Sequence, residues 1–313
     1  MCLVKTLTRT KKRCPTCRAV CHNCAQDQPE NVMVAQIARA AFPQLYLERL
    51  RETQTEKAAL RSIHPIFYYN VPMFPGEILS LHLFEPRYRL MMRRIIDTTR
   101  RFVYVPNYTN YEASIGDVAL IAEVKDCDFQ SDGRCYLSAT LIGRSRITDH
   151  YVEDGTHGLN YCQLETLVDE PIQPHEARFV TTLVQPIANF VSSVLGPIHS
   201  DVVKTHGEMP PVAREQEFSL FIAGVLPLGN AEKHSMLACT NTLERLRACA
   251  AALGRMGGDN PLRVALAHVL QRVNAEIEIS EAAAAAEAAQ QRASGDSGSS
   301  EADSARGSST GSC

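Results

Sequence analysis

Between residues 71 and 96 the chain reads VPMFPGEILSLHLFEPRYRLMMRRII, and the order of signals in this stretch leaves few folds open. Pro75-Gly76 is a turn signal between two short apolar runs, so Val71–Phe74 and Ile78–Leu83 are expected as strands. Pro86 then suits the first turn of a helix, where its missing N–H costs nothing. In that helix Tyr88, Met91, Met92, Ile95 and Ile96 recur at helical spacing and form an apolar stripe, with arginines on the other side. Three further strands follow at DVALIAEV, CYLSATLIGRSRI and NYCQLETLV, with Asp132-Gly133 as the turn between the first two. Strand succeeds strand with a single inserted helix. That order implies a closed or partly closed barrel rather than a parallel α/β sheet.

After Pro171 the texture becomes helical. HEARFVTTLVQPIANFVSSVL, EQEFSLFIAGVLPL and NTLERLRACAAAL are amphipathic, and Asn241 with Glu244 makes a capping-box-like start to the last. Upstream, PENVMVAQIARAAFP reads as a helix with Asn31 as its cap, Val34, Ile37, Ala38 and Ala41 on one face, and Pro43 as its stop. YLERLRETQTEKAALRS reads as a helical linker. From Ser280 the chain is Ala-rich and then Gly/Ser-rich, with little apolar mass to bury, and is expected to be disordered. The fold class is therefore α+β.

Length, 313 residues, allows about two domains. A net charge of -3 exerts no general pull toward nucleic acid or anionic membrane. No apolar run is read as reaching the ~20 residues of a membrane helix, and the first residues lack the hydrophobic segment of a secretory signal. Six Lys/Arg precede the first acid, Asp27, as in a mitochondrial targeting peptide, but clustered cysteines are foreign to a segment meant for removal. Phosphate-loop, nucleophile-elbow and H-E-x-x-H motifs are missing, which argues against an ATPase or peptidase. The ten histidines show no ligand spacing. The bases of RYRLMMRR punctuate an apolar stripe and read as a solvated helix face, not a nucleic-acid patch.

Cysteines are concentrated at the start: five of eleven precede residue 25, four of them in CPTCRAVCHNC. Two C-x-x-C pairs, Cys14/Cys17 and Cys21/Cys24, could make one four-cysteine zinc site, although only three residues separate the pairs. A redox pair would need a thioredoxin-like βαβ setting, which is lacking. Cys21 and Cys24 could also be incidental thiols.

VPMFPGEILSLHLFEPRYRLMMRR, IGDVALIAEV, SDGR, GRSRI, FSLFIAGVLPL and TNTLERL occur in an order and spacing that resemble the LON N-terminal, or substrate-binding, domain across residues 63 to 255. The resemblance implies a PUA-like β-barrel packed with a C-terminal helical half, a module that binds unfolded or damaged protein segments. It divides the chain into a barrel at 63–172, a helical subdomain at 173–272 and a disordered tail at 273–313. The chain has no tryptophan, and Phe218 and Phe221 stand where family members often carry one, as a packing substitution. The binding surface is expected near the Phe74-Pro75-Gly76 turn and the LHLFEPRYR segment. There Gly76 is read as a turn residue, Phe84 and Tyr88 as core, and Glu85 and Arg87 as an ion pair.

The segment before it, residues 1–25, resembles the C-terminal part of a RING finger, as in the LON-domain and RING-finger family of ubiquitin ligases, with residues 26–62 as a helical linker. CPTCR matches the final ligand pair of a RING, and CLVKTLTRTKKR resembles the short helix after the sixth ligand. The resemblance implies zinc ligation by Cys2, Cys14 and Cys17, with five further ligands ahead of Met1, so that this start truncates the RING. It further implies that Pro15 contacts a ubiquitin-conjugating enzyme and that Arg18 contacts enzyme and ubiquitin. On this reading the protein works in the cytoplasm or nucleus as the substrate-recognition part of ubiquitin-dependent degradation, catalysing by positioning alone. Its partners are protein substrates and the conjugating enzyme, without nucleic acid or membrane. The rival reading is a non-enzymatic polypeptide-binding adaptor or chaperone-like protein.

Overall fold

A computed structural model describes residues 16–19, 32–61, 63–109, 111–256 and 260–296. The chain divides into two compact units, Met1–His64 and Pro65–Cys313. In the first, helix α1 (Val32–Ala41) leads directly into α2 (Pro43–Arg61). Pro43 ends one helix and occupies the first turn of the next, and Arg39 lies 5.3 Å from the centre of the Tyr46 ring. The expected cap, Asn31, lies outside the described residues.

Among the described residues the second unit is built on six strands: β1 (Ile63–Tyr69), β2 (Ile78–Leu83), β3 (Arg101–Pro106), β4 (Val118–Phe129), β5 (Cys135–Val152) and β6 (Asn160–Thr166). Their order is β2-β5-β4-β3-β1-β6, with β5 also pairing β6. β5, 18 residues long, makes this possible. Its first half lies between β4 and β2, and Ser145–Val152 carries β6. Register shifts at Ile121/Ala122, Val124/Asp126 and Ile147/Asp149 bend the long strands, since an extra residue raises local twist. The result is a coiled mixed sheet in which β5 pairs with both ends of the β4-β3-β1-β6 run, and β2 is carried on β5 as a further edge strand.

Two strands escaped the sequence reading. β1 and β3 pair in parallel, Ile66 with Val103 through Tyr69 with Pro106. Both of their faces are covered. Phe67, Phe102, Tyr104 and Leu120 join the main core, while Ile66, Val103, Val105, Ala119, Ile147 and Cys162 form a smaller cluster. Strands covered on both sides read as unbroken apolar runs, without the alternation that marks a half-exposed strand. Conversely, Val71–Phe74 is no strand, since Pro72 and Pro75 cannot donate to a ladder.

Helix α3 (Pro86–Ile95) buries Tyr88, Met91, Met92 and Ile95 as its stripe demands. Its arginines are tethered rather than merely solvated. Arg89 Nε donates to Gly133 O at 2.9 Å, and Arg94 pairs with Glu153.

The helical half comprises α4 (Ala177–Leu195), α5 (His199–His206), α6 (Glu215–Val225), α7 (Asn230–Ala238), α8 (Thr242–Arg255) and α9 (Pro261–Asp296). Asn241 Oδ1 accepts from Glu244 N at 3.0 Å, the cap its sequence foretells. Residues 177–206 are long and apolar enough to cross a membrane, contrary to the sequence reading. In the fold, Phe179, Leu183, Ile187 and Phe190 of this segment are core. The tail is also corrected. Residues 273–296 continue α9, and Val273 and Ile277 are buried, because Ala, Glu and Gln are strong helix formers. Residues 297–313 lie outside the described part.

Sheet and helices are joined by a buried ionic network. Asp169 pairs with Arg144 of β5 and Arg245 of α8, and all three side chains are almost fully buried. Arg144 Nη1 also donates to Leu237 O and Cys239 O, at 2.7 and 2.8 Å, and Arg245 Nε to Ser219 Oγ at 2.8 Å. Burial pulls the Arg144 guanidinium below its ordinary pKa, and Asp169 opposes that shift.

Candidate functional site

The first half of β5 lies in a three-stranded region with one face buried and one open. Strand alternation sends Leu79, Leu81 and Leu83 of β2 and Cys135, Leu137, Ala139 and Leu141 of β5 into the core. The intervening residues face outward in register: Asp128, Tyr136 and His82 form one row, and Asp126, Ser138 and Ser80 the next. His82 stacks on Tyr136 with ring centres 4.3 Å apart, and Phe84 lies 6.1 Å from His82. Phe84 is 61% exposed, so the expectation that it belongs to the core is corrected. It follows Leu83 by one residue, and one residue turns a side chain to the other face. Tyr88, 3% exposed, is core, and Arg87 pairs with Glu85 at 2.8 Å, as the sequence suggests.

From Tyr136 the open strip runs along β5 to Ile142, about 20 Å at ~3.3 Å per residue. Ile142 is the extra residue of a register shift, a position that re-aims a side chain outward. Here the strip enters a groove of about 520 Å³, lined by Pro75, Gly76, Ile142, Met209, Pro211 and Phe221, among others. A second groove of about 330 Å³ lies between β1 and the free edge of β2, with Tyr68, Tyr69, His82 and Phe84 on its walls. On that side of β1, Tyr68 N donates to the Tyr88 hydroxyl at 3.3 Å.

Local chemistry holds the larger groove in shape. Gly76 has φ +93° and donates its N–H to Leu141 O at 2.7 Å, confirming it as a turn residue. Gly207, also at positive φ, allows the 206–211 segment to lie across that turn: a Cβ there would sit 3.0 Å from Gly76 O. Beneath, the buried Glu77 carboxylate accepts from His206 Nδ1 at 2.9 Å. Lys233 Nζ donates to Gly224 O at 2.8 Å; burial pulls its pKa down and Glu77 pushes it back up. Phe218 and Phe221 are buried, consistent with a packing role.

Of the five residues tied to the RING resemblance, Cys2, Cys14 and Pro15 lie outside the described residues. Cys17 and Arg18 are described, both exposed, and Arg18 has φ +59°. Among the described residues no three His, Cys, Asp or Glu side chains converge as metal ligands, so these by themselves supply no zinc site. The remaining described thiols suit structure more than chemistry. Burial pushes Cys135, Cys162 and Cys249 up to about 12, far from the thiolate form.

A coiled mixed sheet backed by helices, with an open aromatic strip leading to a groove, defines a binding domain with no catalytic constellation among its described residues. The family model of the ATP-dependent protease La (LON) substrate-binding domain matches residues 64–255, and the chain belongs to this family. A curated relative, a LON peptidase N-terminal domain and RING finger protein of Schizosaccharomyces pombe, is 29% identical over 102 residues, covering 32% of this chain. The chain spans only about a fifth, 20%, of that relative's length. Among solved structures, a Lon N-terminal domain protein from Xanthomonas campestris is similar at 20% identity and TM-score 0.43, covering 60% of this chain and 97% of its own. The N-terminal domain of a Mycobacterium avium complex Lon protease is similar at 14% identity and TM-score 0.45, covering 61% and 97%.

Proposed function

We propose that this protein recognises polypeptide substrates for ubiquitin-dependent degradation, with the β2–β5 outer face and its groove receiving the substrate. The observation that carries the binding half is the exposed strip from Tyr136 to Ile142 and the groove it enters, in a domain of the LON substrate-binding family. An extended segment of about six residues matches the strip in length. The ligase half is supported by the CPTCR ending and by a relative whose name joins a LON domain to a RING finger. In a complete RING, zinc would be held by Cys2, Cys14 and Cys17 with further ligands, Pro15 would meet the conjugating enzyme, and Arg18 the enzyme and ubiquitin. Such a protein accelerates transfer by holding charged enzyme near a substrate lysine.

Binding is tested with a fluorescently labelled, reduced and carboxymethylated protein against its folded form. The unfolded form is expected to bind preferentially, and Tyr136→Ala with Ile142→Ala to weaken it roughly 5- to 10-fold, the scale of losing an aromatic anchor. Equal binding by the double variant would place the substrate elsewhere. Transfer is tested by supplying activating enzyme, conjugating enzymes and ubiquitin to the same complex. Because five of the implied ligands lie ahead of Met1, binding without transfer favours the adaptor reading only when the chain assayed carries a complete RING.

A further inference from the structure

The charges around the open face are unevenly matched. On β4, Glu123 is already bridged by Arg101 and Lys125. Asp126 and Asp128, one and two rows further along, have no salt-bridge partner among the described residues, although both are exposed beside Ser138 and Tyr136. Asp126 Oδ1 accepts from the backbone N–H of Cys127, and Asp128 Oδ2 from Gln130 Nε2. At the other end, Glu208 lines the groove and is exposed, again without an ion-pair partner among the described residues. Arg214, which lines the same groove, is taken by Glu217 at 2.9 Å. The cation of the β4–β5 turn, Arg134, is likewise taken by Asp132 at 2.6 Å. Carboxylates unpaired among the described residues therefore stand at both ends of the apolar strip, while Arg89 and Arg100 near the β4 end are held on backbone carbonyls of the β4–β5 turn and of β4.

We infer that the occupant of this face is an extended polypeptide segment that combines apolar side chains with lysine or arginine. This rests on the polypeptide-binding reading and adds the charge of the segment. The spacing suits it. Adjacent strands lie about 4.8 Å apart, so Asp126 and Asp128 form a column one strand to the side of the Tyr136–Ile142 strip. A segment lying along β5 would place its apolar side chains on Tyr136, His82 and Ile142. A Lys or Arg stem of that segment could then cross one strand spacing to the β4 carboxylates while its methylenes cover the sheet. The same carboxylates repel an acidic segment and also a phosphodiester backbone, so stacking of nucleic-acid bases on Tyr136 is disfavoured.

The test is fluorescence polarisation on the full chain with two labelled twelve-residue peptides of identical apolar pattern. One carries lysine and arginine at its polar positions, the other glutamate, and a single-stranded oligonucleotide serves as a third probe. The cationic peptide is expected to bind about 5-fold or more tightly than the acidic one, given two or three exposed pairs. That preference should collapse in Asp126→Asn/Asp128→Asn and shrink as salt is raised. Asparagine keeps the acceptor oxygens for Cys127 N and Gln130, so this variant should fold, as circular dichroism would verify. If both peptides bind equally and Tyr136→Ala weakens both, the charge inference falls and the polypeptide reading stands. If neither peptide binds, or Tyr136→Ala leaves binding unchanged, both fall. Preferential capture of the oligonucleotide also overturns the inference.

Discussion

Asp169 is a residue whose removal should cost this fold heavily. Its carboxylate is 4% exposed and stands between Arg144 at 3% and Arg245 at 0%. Arg245 Nη2 donates to Asp169 Oδ2 at 2.5 Å and its Nη1 to Oδ1 at 3.2 Å. Asp169→Ala removes the carboxylate that both arginines share and leaves two guanidinium charges buried beside each other. Breaking a buried ion pair by deleting one partner typically costs ~3–5 kcal/mol, chiefly because the surviving charge stays desolvated. In a domain of this size each kcal/mol lowers Tm by about 2–4 °C, so a fall of roughly 6–20 °C is expected. The chain has no tryptophan, so unfolding in urea is best followed by far-ultraviolet circular dichroism. The discriminating comparison is Asp169→Ala/Arg245→Met. If uncompensated charge dominates, removing one guanidinium as well should recover part of the loss. If hydrogen bonds dominate, the double variant should be worse than either single one, since Ser219 Oγ and Cys239 O lose their donor too. A loss below ~1 kcal/mol for Asp169→Ala would refute the reasoning.

Two further outcomes follow from local geometry. Gly224→Ala would put a Cβ 2.6 Å from Glu77 Oε1 and 3.3 Å from Phe74 Cβ, so overpacking of about 1–3 kcal/mol is expected, measured in the same urea titration. The half-buried His234 faces the Tyr108 hydroxyl with Nδ1 and the Tyr111 hydroxyl with Nε2, both at 3.3 Å, and burial lowers its pKa. A lowered folded pKa means the unfolded chain binds the proton more readily, so stability is fully present above pH ~6.5 and falls as pH drops toward the folded value. Thermal melts at pH 7.5 and pH 5 should separate less in His234→Gln than in the parent.

How much of this was legible beforehand depended on how far apart the interacting groups lie in the chain. Signals that act over a few residues are legible in the sequence: the Pro75-Gly76 and Asp132-Gly133 turns, the α3 stripe and the Asn241 cap. Each is a backbone or face preference settled within one or two turns of chain. Phe84 also belonged to this class, because β2 alternation alone turns it outward. β1 and β3 did not, since burial on both faces erases the periodicity that announces a strand.

The sequence alone therefore determined the turns, the α3 stripe, the family and the regions where binding was expected. Tertiary structure decided which groups meet. Arg144 and Arg245 lie 25 and 76 residues from Asp169, and nothing local pairs them. It also decided that β5 would pair with three strands, so that β2 ends the sheet, and that Asp126, Asp128 and Tyr136 would share one open face. The physical reason is common to all three: register and burial are set by contacts between strands and helices distant in sequence, whose energies only the assembled fold can add together.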